Sequence, residues 1–353
     1  VDQTLKKNKL NRQKALDKLK EGRDKSQQVD SYLDLRLTLQ STKNLFYFYD
    51  KNAILKVFDQ NHFNSVVIET LLICLILLLR FFMDVPVFQI PAAASAFLML
   101  TISLMITGAI SYWFREWSIP FTLAAFFLIN GLMKLGILNA VYEAPGLNYD
   151  RSKVNYSIEN LKIQNSSEQI AIDKKHTLTI LNNWKDKWKE DKKQKMIFVC
   201  TSGGGQRSAL WTFNALAHSD SILGGKLMDH TMLITGASGG AIGASYYREL
   251  KLMSSKLNLS SSLKNISKDN LNPIIFSLVV NDLILRNQRY DHSGNRYLKD
   301  RGYAFENQLN KNTDYVLDKK LIDYKEVEFK SQTPMLILGP TISLDGRKLY
   351  ISP

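Results

Sequence analysis

The sequence predicts an α/β domain in the C-terminal part of the chain, preceded by an α-helical membrane region. Long apolar runs with almost no charge are confined to residues 66–141. Two successive units of strand, glycine loop and helix then follow, at residues 196–219 and 230–253. The chain has 353 residues, which is more than a single domain usually holds, so at least two regions are expected.

Residues 1–63 are predicted to form a basic helical N-terminal region, because charged and apolar positions alternate there as on one or two helices with a solvated face.

The formal net charge of the chain is +13. This excess suits the flanks of membrane segments. The sequence has no zinc-finger spacing and no aromatic and basic sheet signature, so no nucleic-acid partner is expected. Cys74 and Cys200 are the only cysteines and predict no disulfide framework.

Residues 64–142 are predicted to be a transmembrane region with about three helices, at residues 66–83, 90–114 and 117–141. A helix needs about 20 apolar residues to cross the hydrocarbon layer. Soluble helices are rarely apolar on all sides for this length, and tryptophans stand at the ends of the runs, where an aromatic belt lies. We therefore expect a multi-pass integral protein of the lipid bilayer. Basic residues near the spans favour one orientation by only a few residues, which leaves both membrane faces open for the C-terminal domain.

Residues 143–176 are predicted to be a linker, because the composition becomes polar and rich in Asn, Ser and Lys. The soluble domain is expected at residues 177–353. Its first segment has apolar residues at helical spacing, followed by a basic tail that contains Trp184 and Trp188. Such a helix either packs against its own domain or rests on a membrane surface.

The second glycine loop contains a Gly-x-Ser-x-Gly pentapeptide, which runs from Gly236 through Ser238 to Gly240. This pattern is typical of a nucleophilic serine on a sharp turn between a strand and a helix, where a strained backbone keeps the hydroxyl exposed. The neighbours must be small because a Cβ on either glycine would clash. The following helix directs its N-terminal amides and positive dipole end towards the serine, where negative charge develops. Ser238 is therefore the candidate nucleophile.

The first glycine loop contains Gly203, Gly204 and Gly205 and lies one strand and one helix earlier in the chain. The carboxyl ends of neighbouring parallel strands meet at one edge of an open α/β sheet, so we expect the two loops to lie side by side. Three glycines allow unhindered backbone N–H groups to approach one point, as the oxyanion hole for a tetrahedral acyl intermediate requires. A triglycine that only turns the chain is the alternative. The shared order of strand, loop and helix around both loops favours the oxyanion hole.

At these residues the chain resembles the patatin-like phospholipase family. The family has a Gly-Gly-Gly-x-Arg oxyanion loop, matched here by Gly203 to Arg207, and one βαβ unit later a Gly-x-Ser-x-Gly elbow, matched by Gly236 to Gly240. The resemblance covers residues 196–353 and implies a three-layer α/β/α domain. It also implies a serine hydrolase of the phospholipase or lysophospholipase type, which cleaves carboxylic esters of lipids with a Ser-Asp dyad. The predicted transmembrane region lies outside the resemblance and would anchor this hydrolase to a membrane. It implies no metal ion and no cofactor.

The chain departs from the family pattern in two places. Ser202 and Ser208 stand where the family has an acidic residue and a glycine. The family also completes its dyad with the aspartate of an Asp-Gly-Gly or Asp-Gly-Ala motif. Asp345 and Gly346 are instead predicted to form a hairpin turn, because strand-like runs stand on both sides of them. The catalytic aspartate is therefore expected beyond Pro353, and the domain is expected to be incomplete at its C-terminus.

Three alternatives to a patatin-like hydrolase stay open. Residues 233–246 look like the glycine turn of a short-chain dehydrogenase, with Tyr315 and Lys319 as a Tyr-x-x-x-Lys pair, although the glycines are one residue out of step with that turn. An α/β-hydrolase triad would use His292, although its oxyanion glycines usually lie further upstream. The third alternative is a non-catalytic membrane scaffold with a degenerate hydrolase domain.

Overall fold

The computed structural model describes residues 31–41, 51–135, 144–147, 157–188, 193–253, 258–283, 288–342 and 346–353. Contacts divide the chain into two units, Val1–Ile76 and Leu77–Pro353. The second unit contains a parallel sheet with helices packed against it, which places it in the α/β class.

From residue 51 onward, apolar helices come first and the strands and helices of the α/β domain follow later, in the order that the hydropathy pattern predicts. The helices are α1 (Lys51–Leu79), α2 (Ala92–Phe114), α3 (Ser118–Lys134), α4 (Ile158–Gln164), α5 (Ser167–Asp186), α6 (Gly205–Ile222), α7 (Leu227–His230), α8 (Ser238–Leu252), α9 (Leu259–Ile266), α10 (Leu271–Ser277), α11 (Arg301–Asn312) and α12 (Lys325–Phe329). The strands are β1 (Ser31–Leu33), β2 (Leu39–Ser41), β3 (Ile197–Thr201), β4 (Thr231–Gly236), β5 (Arg289–His292), β6 (Asn295–Leu298) and β7 (Met335–Leu338). Short 3₁₀ turns lie at Arg80–Phe82, Pro86–Phe88, Arg115–Trp117 and Leu321–Tyr324, and a π-helical turn, Leu278–Asp282, continues α10.

Two helical stretches are long and apolar enough to cross a membrane, judged by length and composition. They are Phe63–Phe82 and Ala92–Ser111, each of 20 residues, with mean hydropathies of 2.4 and 2.0. Only 11% and 6% of these stretches are buried, whereas the core helix of a soluble domain is mostly buried. The third predicted span forms a shorter helix of 17 residues, with the apolar part Ser118–Leu132. Residues 136–141 of that span lie outside the described residues.

The N-terminal region is not helical throughout. Residues 31–41 form the antiparallel hairpin of β1 and β2, so the helical prediction is wrong for this segment. The Asp34 carboxylate accepts hydrogen bonds from the backbone N–H groups of Arg36 and Thr38, both at 2.9 Å, and this closes a turn that competes with a helix. The predicted helices of residues 1–30 and 42–50 lie outside the described residues.

Helices α4 and α5 occupy part of the segment 143–176 that the sequence predicts as a linker. Each begins after a serine whose hydroxyl accepts a backbone N–H of the first turn, Ser157 at 3.2 Å and Ser166 at 3.3 Å. Polar residues that are typical of linkers therefore serve here as helix caps. Near the end of α5, Trp184 is buried and donates its indole N–H to the Asp229 carbonyl at 2.9 Å, which packs this helix against its own domain.

The central sheet has the strand order β3-β4-β7, and both pairs of neighbouring strands are parallel, as predicted. Helices α6 and α8 pack against one face of this sheet. Phe213, Ile234 and Ala244 lie there in the core with no exposed surface. On the other face of the edge strand β3, Phe198 is 58% exposed. The α/β class is confirmed, and the three-layer arrangement stays a prediction.

The chain turns back on itself after β7, as the Asp-Gly hairpin prediction requires. Thr341 bridges Lys348 and Leu338 bridges Ile351, both in antiparallel fashion. The two antiparallel bridges agree with the hairpin prediction for the described residues. Asp345 itself lies outside them.

Candidate active site

The two glycine loops come from neighbouring strands and lie against each other. Strands β3 and β4 pair in parallel up to Thr201 and Gly236, and each loop begins at this edge of the sheet. A Cβ added to Gly203 would lie 3.2 Å from the Ser238 Cβ and 3.6 Å from the Ser238 Oγ. The predicted side-by-side arrangement is therefore confirmed, and the triglycine borders the candidate nucleophile directly.

Ser238 has the backbone conformation that the pentapeptide predicts. Its φ angle is +54°, in the left-handed region that side chains disfavour, while Ala237 before it is extended with φ −136° and ψ 155°. The residue is the first of helix α8 and is exposed. An exposed serine with a strained backbone therefore lies at the N-terminal, positive end of a helix of 15 residues.

The other glycines of the second loop are required by close backbone contacts. A Cβ on Gly236 would lie 1.9 Å from the Thr201 Oγ1, and one on Gly239 would lie 1.9 Å from the Gly205 carbonyl oxygen. A Cβ on Gly240 would lie 2.3 Å from the Ser202 carbonyl oxygen. Real Cβ atoms do not approach oxygen so closely, so all three positions exclude any side chain. The start of α8 therefore packs directly against the triglycine loop.

The triglycine loop has a backbone that favours glycine. Gly204 has φ +151° and Gly205 has φ +63°. No hydrogen bond joins the backbone N–H of Gly203, Gly204 or Gly205 to any residue in the described part of the chain. N–H groups without an internal partner are what an oxyanion hole needs.

The triglycine is flanked by Ser202 and Ser208, the two residues that differ from the family pattern. The Ser208 hydroxyl donates to the Ser202 carbonyl at 2.8 Å and so ties the two departing residues together across the loop. Arg207 is exposed on the first turn of α6. Gln206, which the sequence did not single out, has its side-chain amide bonded to the segment between α9 and α10. Nothing in the pentapeptide or the triglycine signals this contact, because its partners lie about 60 residues away in the sequence.

No carboxylate forms a hydrogen bond with the Ser238 hydroxyl among the described residues. The histidine of the triad alternative, His292, is exposed on the separate two-stranded sheet of β5 and β6, where its ring lies edge-on to Tyr297. That sheet contributes no strand to the β3-β4-β7 sheet. No hydrogen bond joins His292 to Ser238 among the described residues.

The two residues of the dehydrogenase alternative, Tyr315 and Lys319, lie outside any helix and have different surroundings. Tyr315 lies in the turn after α11, with φ +59°, and is exposed. Lys319 forms an ion pair with Glu249 of helix α8. The two side chains do not share the face of one helix.

Helix α8, which begins with Ser238, is anchored by two buried polar groups. Arg248 donates to the Pro334 carbonyl at 2.9 Å, pairs with Glu328, and lies 4.5 Å from the centre of the Tyr324 ring. Burial raises the pKa of Glu328 to about 7, although the guanidinium opposes this shift. These contacts fix the distal part of α8 to the segments on either side of α12.

Asp220 of α6 is the second anchor. Its carboxylate accepts hydrogen bonds from the Tyr247 hydroxyl at 2.6 Å, the Lys251 ammonium at 2.9 Å and the Leu227 N–H at 2.8 Å. Burial opposes ionisation of this carboxyl group, but the hydrogen bonds outweigh burial and hold the pKa of Asp220 below its ordinary value. Helices α6 and α8, which carry the two loops, are thereby joined at the ends away from the loops.

Compared with known proteins, the chain matches no family model, no curated protein and no solved structure. The candidate site therefore stands on its own geometry. Among the described residues there is no group of three or more His, Cys, Asp or Glu side chains that would hold a metal ion.

Proposed function

We propose that the chain is a membrane-anchored serine hydrolase that cleaves acyl esters of lipids, with Ser238 as the nucleophile. One observation carries the proposal. Ser238 is an exposed residue with a left-handed φ of +54°, and the triglycine loop lies against it. A serine pays for this conformation only where the surrounding structure imposes it, and such strain is concentrated at functional sites.

In the proposed reaction the Ser238 Oγ attacks the ester carbonyl carbon, and an aspartate of the Ser-Asp dyad accepts the hydroxyl proton. The carbonyl oxygen of the tetrahedral intermediate then lies among the N–H groups of Gly203, Gly204 and Gly205, which have no partner among the described residues. The C–O bond to the alcohol breaks as the aspartic acid gives the proton to the leaving oxygen. The aspartate then takes a proton from water, which attacks the acyl-serine ester, and the free acid leaves as Ser238 regains its hydroxyl proton. Gly236 and Gly240, where an added Cβ would collide with Thr201 and Ser202, keep the two loops in this arrangement, and Arg207 completes the motif of the first loop.

The two apolar helical stretches support a lipid substrate. We propose that Phe63–Phe82 and Ala92–Ser111 anchor the chain in a bilayer, since both are long, apolar and largely unburied. An enzyme tethered to a bilayer meets membrane lipids at high local concentration, because the substrate occupies the same surface. Phospholipids, lysophospholipids and other acyl lipids are the expected substrate class, and no metal ion or cofactor takes part.

Labelling with a fluorophosphonate tests the proposal. In the full-length protein in detergent micelles, we expect covalent labelling that Ser238→Ala abolishes, together with a loss of p-nitrophenyl ester hydrolysis of at least about 10³-fold. Ser245→Ala is the matched control, because Ser245 lies on the same helix α8, and this variant should label like the wild-type protein. Labelling that survives in Ser238→Ala, or no labelling of the folded wild-type protein, would contradict the proposal.

A further inference from the structure

The side chain of Gln206 is held at both ends of its amide. Its Nε2 donates to the Ile266 carbonyl and to the Lys268 carbonyl, the latter at 3.2 Å, while its Oε1 accepts from the Asn270 Nδ2 at 2.9 Å. Gln206 follows Gly205 directly and belongs to the first turn of α6. The segment between α9 and α10 therefore fixes the residue on which the triglycine loop ends.

Asn270 is buried and belongs to a chain of side-chain amides. Its Oδ1 accepts from the Asn312 Nδ2 at 2.8 Å, and the Asn312 Oδ1 accepts from the Gln308 Nε2 at 2.8 Å. Asn270 and Asn312 are 6% and 5% exposed. A buried amide that loses its hydrogen-bond partner destabilises the folded protein. The row of hydrogen-bonded amides therefore holds Gln206 in one orientation.

The same segment also contacts the start of the second apolar helix. Asn272, on the first turn of α10, accepts a hydrogen bond through its Oδ1 from the backbone N–H of Ala92 at 2.7 Å. Ala92 is the first residue of α2, and the first N–H groups of a helix have no partner within it. Asn272 therefore caps α2 from outside, two residues after the asparagine that holds Gln206.

We infer that Gln206 is a positioning residue for the triglycine loop, and that α10 links the loop to the membrane helix α2 through Asn270 and Asn272. The inference rests on the proposed hydrolase function. A displacement of α2 relative to α10 moves the segment that grips Gln206, and with it the N–H groups beside Ser238. The oxyanion loop is then in its working position only when α2 is seated in its bilayer.

The variants for the test separate loop positioning from substrate binding. Gln206→Met keeps the length of the side chain and removes its hydrogen bonds. Asn272→Ala removes the cap on Ala92, whereas Asn272→Asp keeps an oxygen acceptor and is the matched control, because Asp and Asn cap helices about equally well. Full-length protein in phosphatidylcholine nanodiscs is assayed with p-nitrophenyl butyrate, and hydrogen exchange is followed by mass spectrometry in the loop peptide 201–207.

We expect Gln206→Met to lower kcat about 100-fold with KM unchanged, because a misplacement of about 1 Å in a catalytic group has an effect of this size. The Gln206 amide bonds to the segment between α9 and α10, so the substitution should act through the position of the loop. Asn272→Ala is expected to lower kcat about 10-fold, and Asn272→Asp to retain the wild-type value. Exchange should become faster in the loop peptide of Gln206→Met and Asn272→Ala but stay unchanged in the peptides of β4 and β7.

Wild-type kcat and wild-type loop exchange in Gln206→Met would overturn the positioning role. Equal behaviour of Asn272→Ala and Asn272→Asp would overturn the link to α2. If the wild-type protein hydrolyses no ester and takes up no fluorophosphonate, the proposed function fails. Hydrogen exchange then tests the structural link without activity. Faster exchange confined to the loop peptide of Gln206→Met and Asn272→Ala supports the link, and unchanged exchange in that peptide overturns it.

Discussion

At the scale of single residues, the site depends on one strained serine and on glycines that leave no room for a Cβ. The left-handed conformation of Ser238 costs roughly 1–2 kcal/mol for an L-residue with a side chain. The contacts of Gly239 and Gly240 with the carbonyl oxygens of Gly205 and Ser202 hold the turn in place, so the strain cannot relax. The close packing of these glycines therefore maintains the strained conformation of Ser238.

Replacing Ser238 by two small residues separates strain from chemistry. Ser238→Gly and Ser238→Ala should both lack hydrolase activity, but glycine adopts a φ of +54° without steric cost. We expect the glycine variant to have a free energy of unfolding about 1 kcal/mol higher than the alanine variant. Thermal unfolding of the full-length protein in detergent measures this difference. Equal stability would mean that the turn is not strained.

Two loop glycines should respond differently to alanine. Gly205 has φ +63° with no atom within 4 Å of an added Cβ, so Gly205→Ala should cost only the roughly 1–2 kcal/mol of backbone strain. At Gly239 the added Cβ would lie 1.9 Å from a backbone oxygen, which forces the two loops apart. Gly239→Ala should therefore be the less stable variant and should lose fluorophosphonate labelling. A Gly239→Ala variant with normal labelling would contradict the described contact between the loops.

At the scale of secondary structure elements, the pair of helices α6 and α8 carries both loops, and Asp220 joins these helices at their far ends. Burial raises the pKa of Asp220, but its three hydrogen bonds and the Lys251 charge outweigh burial, so the folded-state pKa lies below the unfolded value. Such a group stabilises the fold fully above its unfolded pKa of 3.8, and the contribution is lost as the pH falls through the lower folded value. Acid should therefore loosen the helix pair.

Asp220→Asn tests this anchor. We expect a loss of about 1–3 kcal/mol in the free energy of unfolding at pH 7, because hydrogen bonds to a charged acceptor are weakened. From about pH 5 down to about pH 2, where the unfolded and then the folded carboxylate take up a proton, the wild-type protein should lose stability more steeply than the variant. Asp291→Asn is the control, since the Asp291 side chain is 78% exposed, and it should change the free energy by less than about 0.5 kcal/mol. Identical acid profiles for wild type and Asp220→Asn would remove Asp220 from this role.

At the scale of the whole molecule, a hydrophobic section with little burial precedes a domain with its own core. The two apolar stretches are 11% and 6% buried, whereas residues such as Phe213 and Ile234 in the domain core have no exposed surface. Apolar surface of this extent is stable in the hydrocarbon of a bilayer and unfavourable in water. The membrane proposal therefore accounts for apolar side chains that the folded domain leaves uncovered.

Charges placed in both apolar stretches test membrane insertion. Arginine at Leu71, Leu75, Leu100 and Leu104 together should oppose insertion by on the order of 10 kcal/mol, because each charge near the centre of a span costs about 2.5–3.5 kcal/mol. The wild-type protein should stay in the membrane pellet after an alkaline carbonate wash, and the fourfold variant should not. Ile222→Arg, on the exposed surface of α6, should behave like the wild-type protein. A wild-type protein released by carbonate would contradict the anchor.

The sequence by itself determined what depends on near neighbours. The order of strand, glycine loop and helix predicts parallel strands with both loops at one edge, the apolar runs predict the long uncovered helices, and Asp-Gly between two strand-like runs predicts the final hairpin. These signals are local, because hydrophobic periodicity and turn chemistry are properties of residues a few positions apart. The resemblance to patatin-like phospholipases rests on the same two short motifs.

Only the tertiary structure decided the features that join distant residues. The position of Gly239 against the Gly205 carbonyl, the hydrogen bond from Asn270 to Gln206, and the cap on Ala92 from a residue 180 positions later all join such distant segments. The helices within residues 143–176 likewise gain their stability from caps and from packing rather than from an apolar pattern. Such contacts depend on the path of the whole chain, because they form, and stabilise the protein, only when folding has brought both partners together.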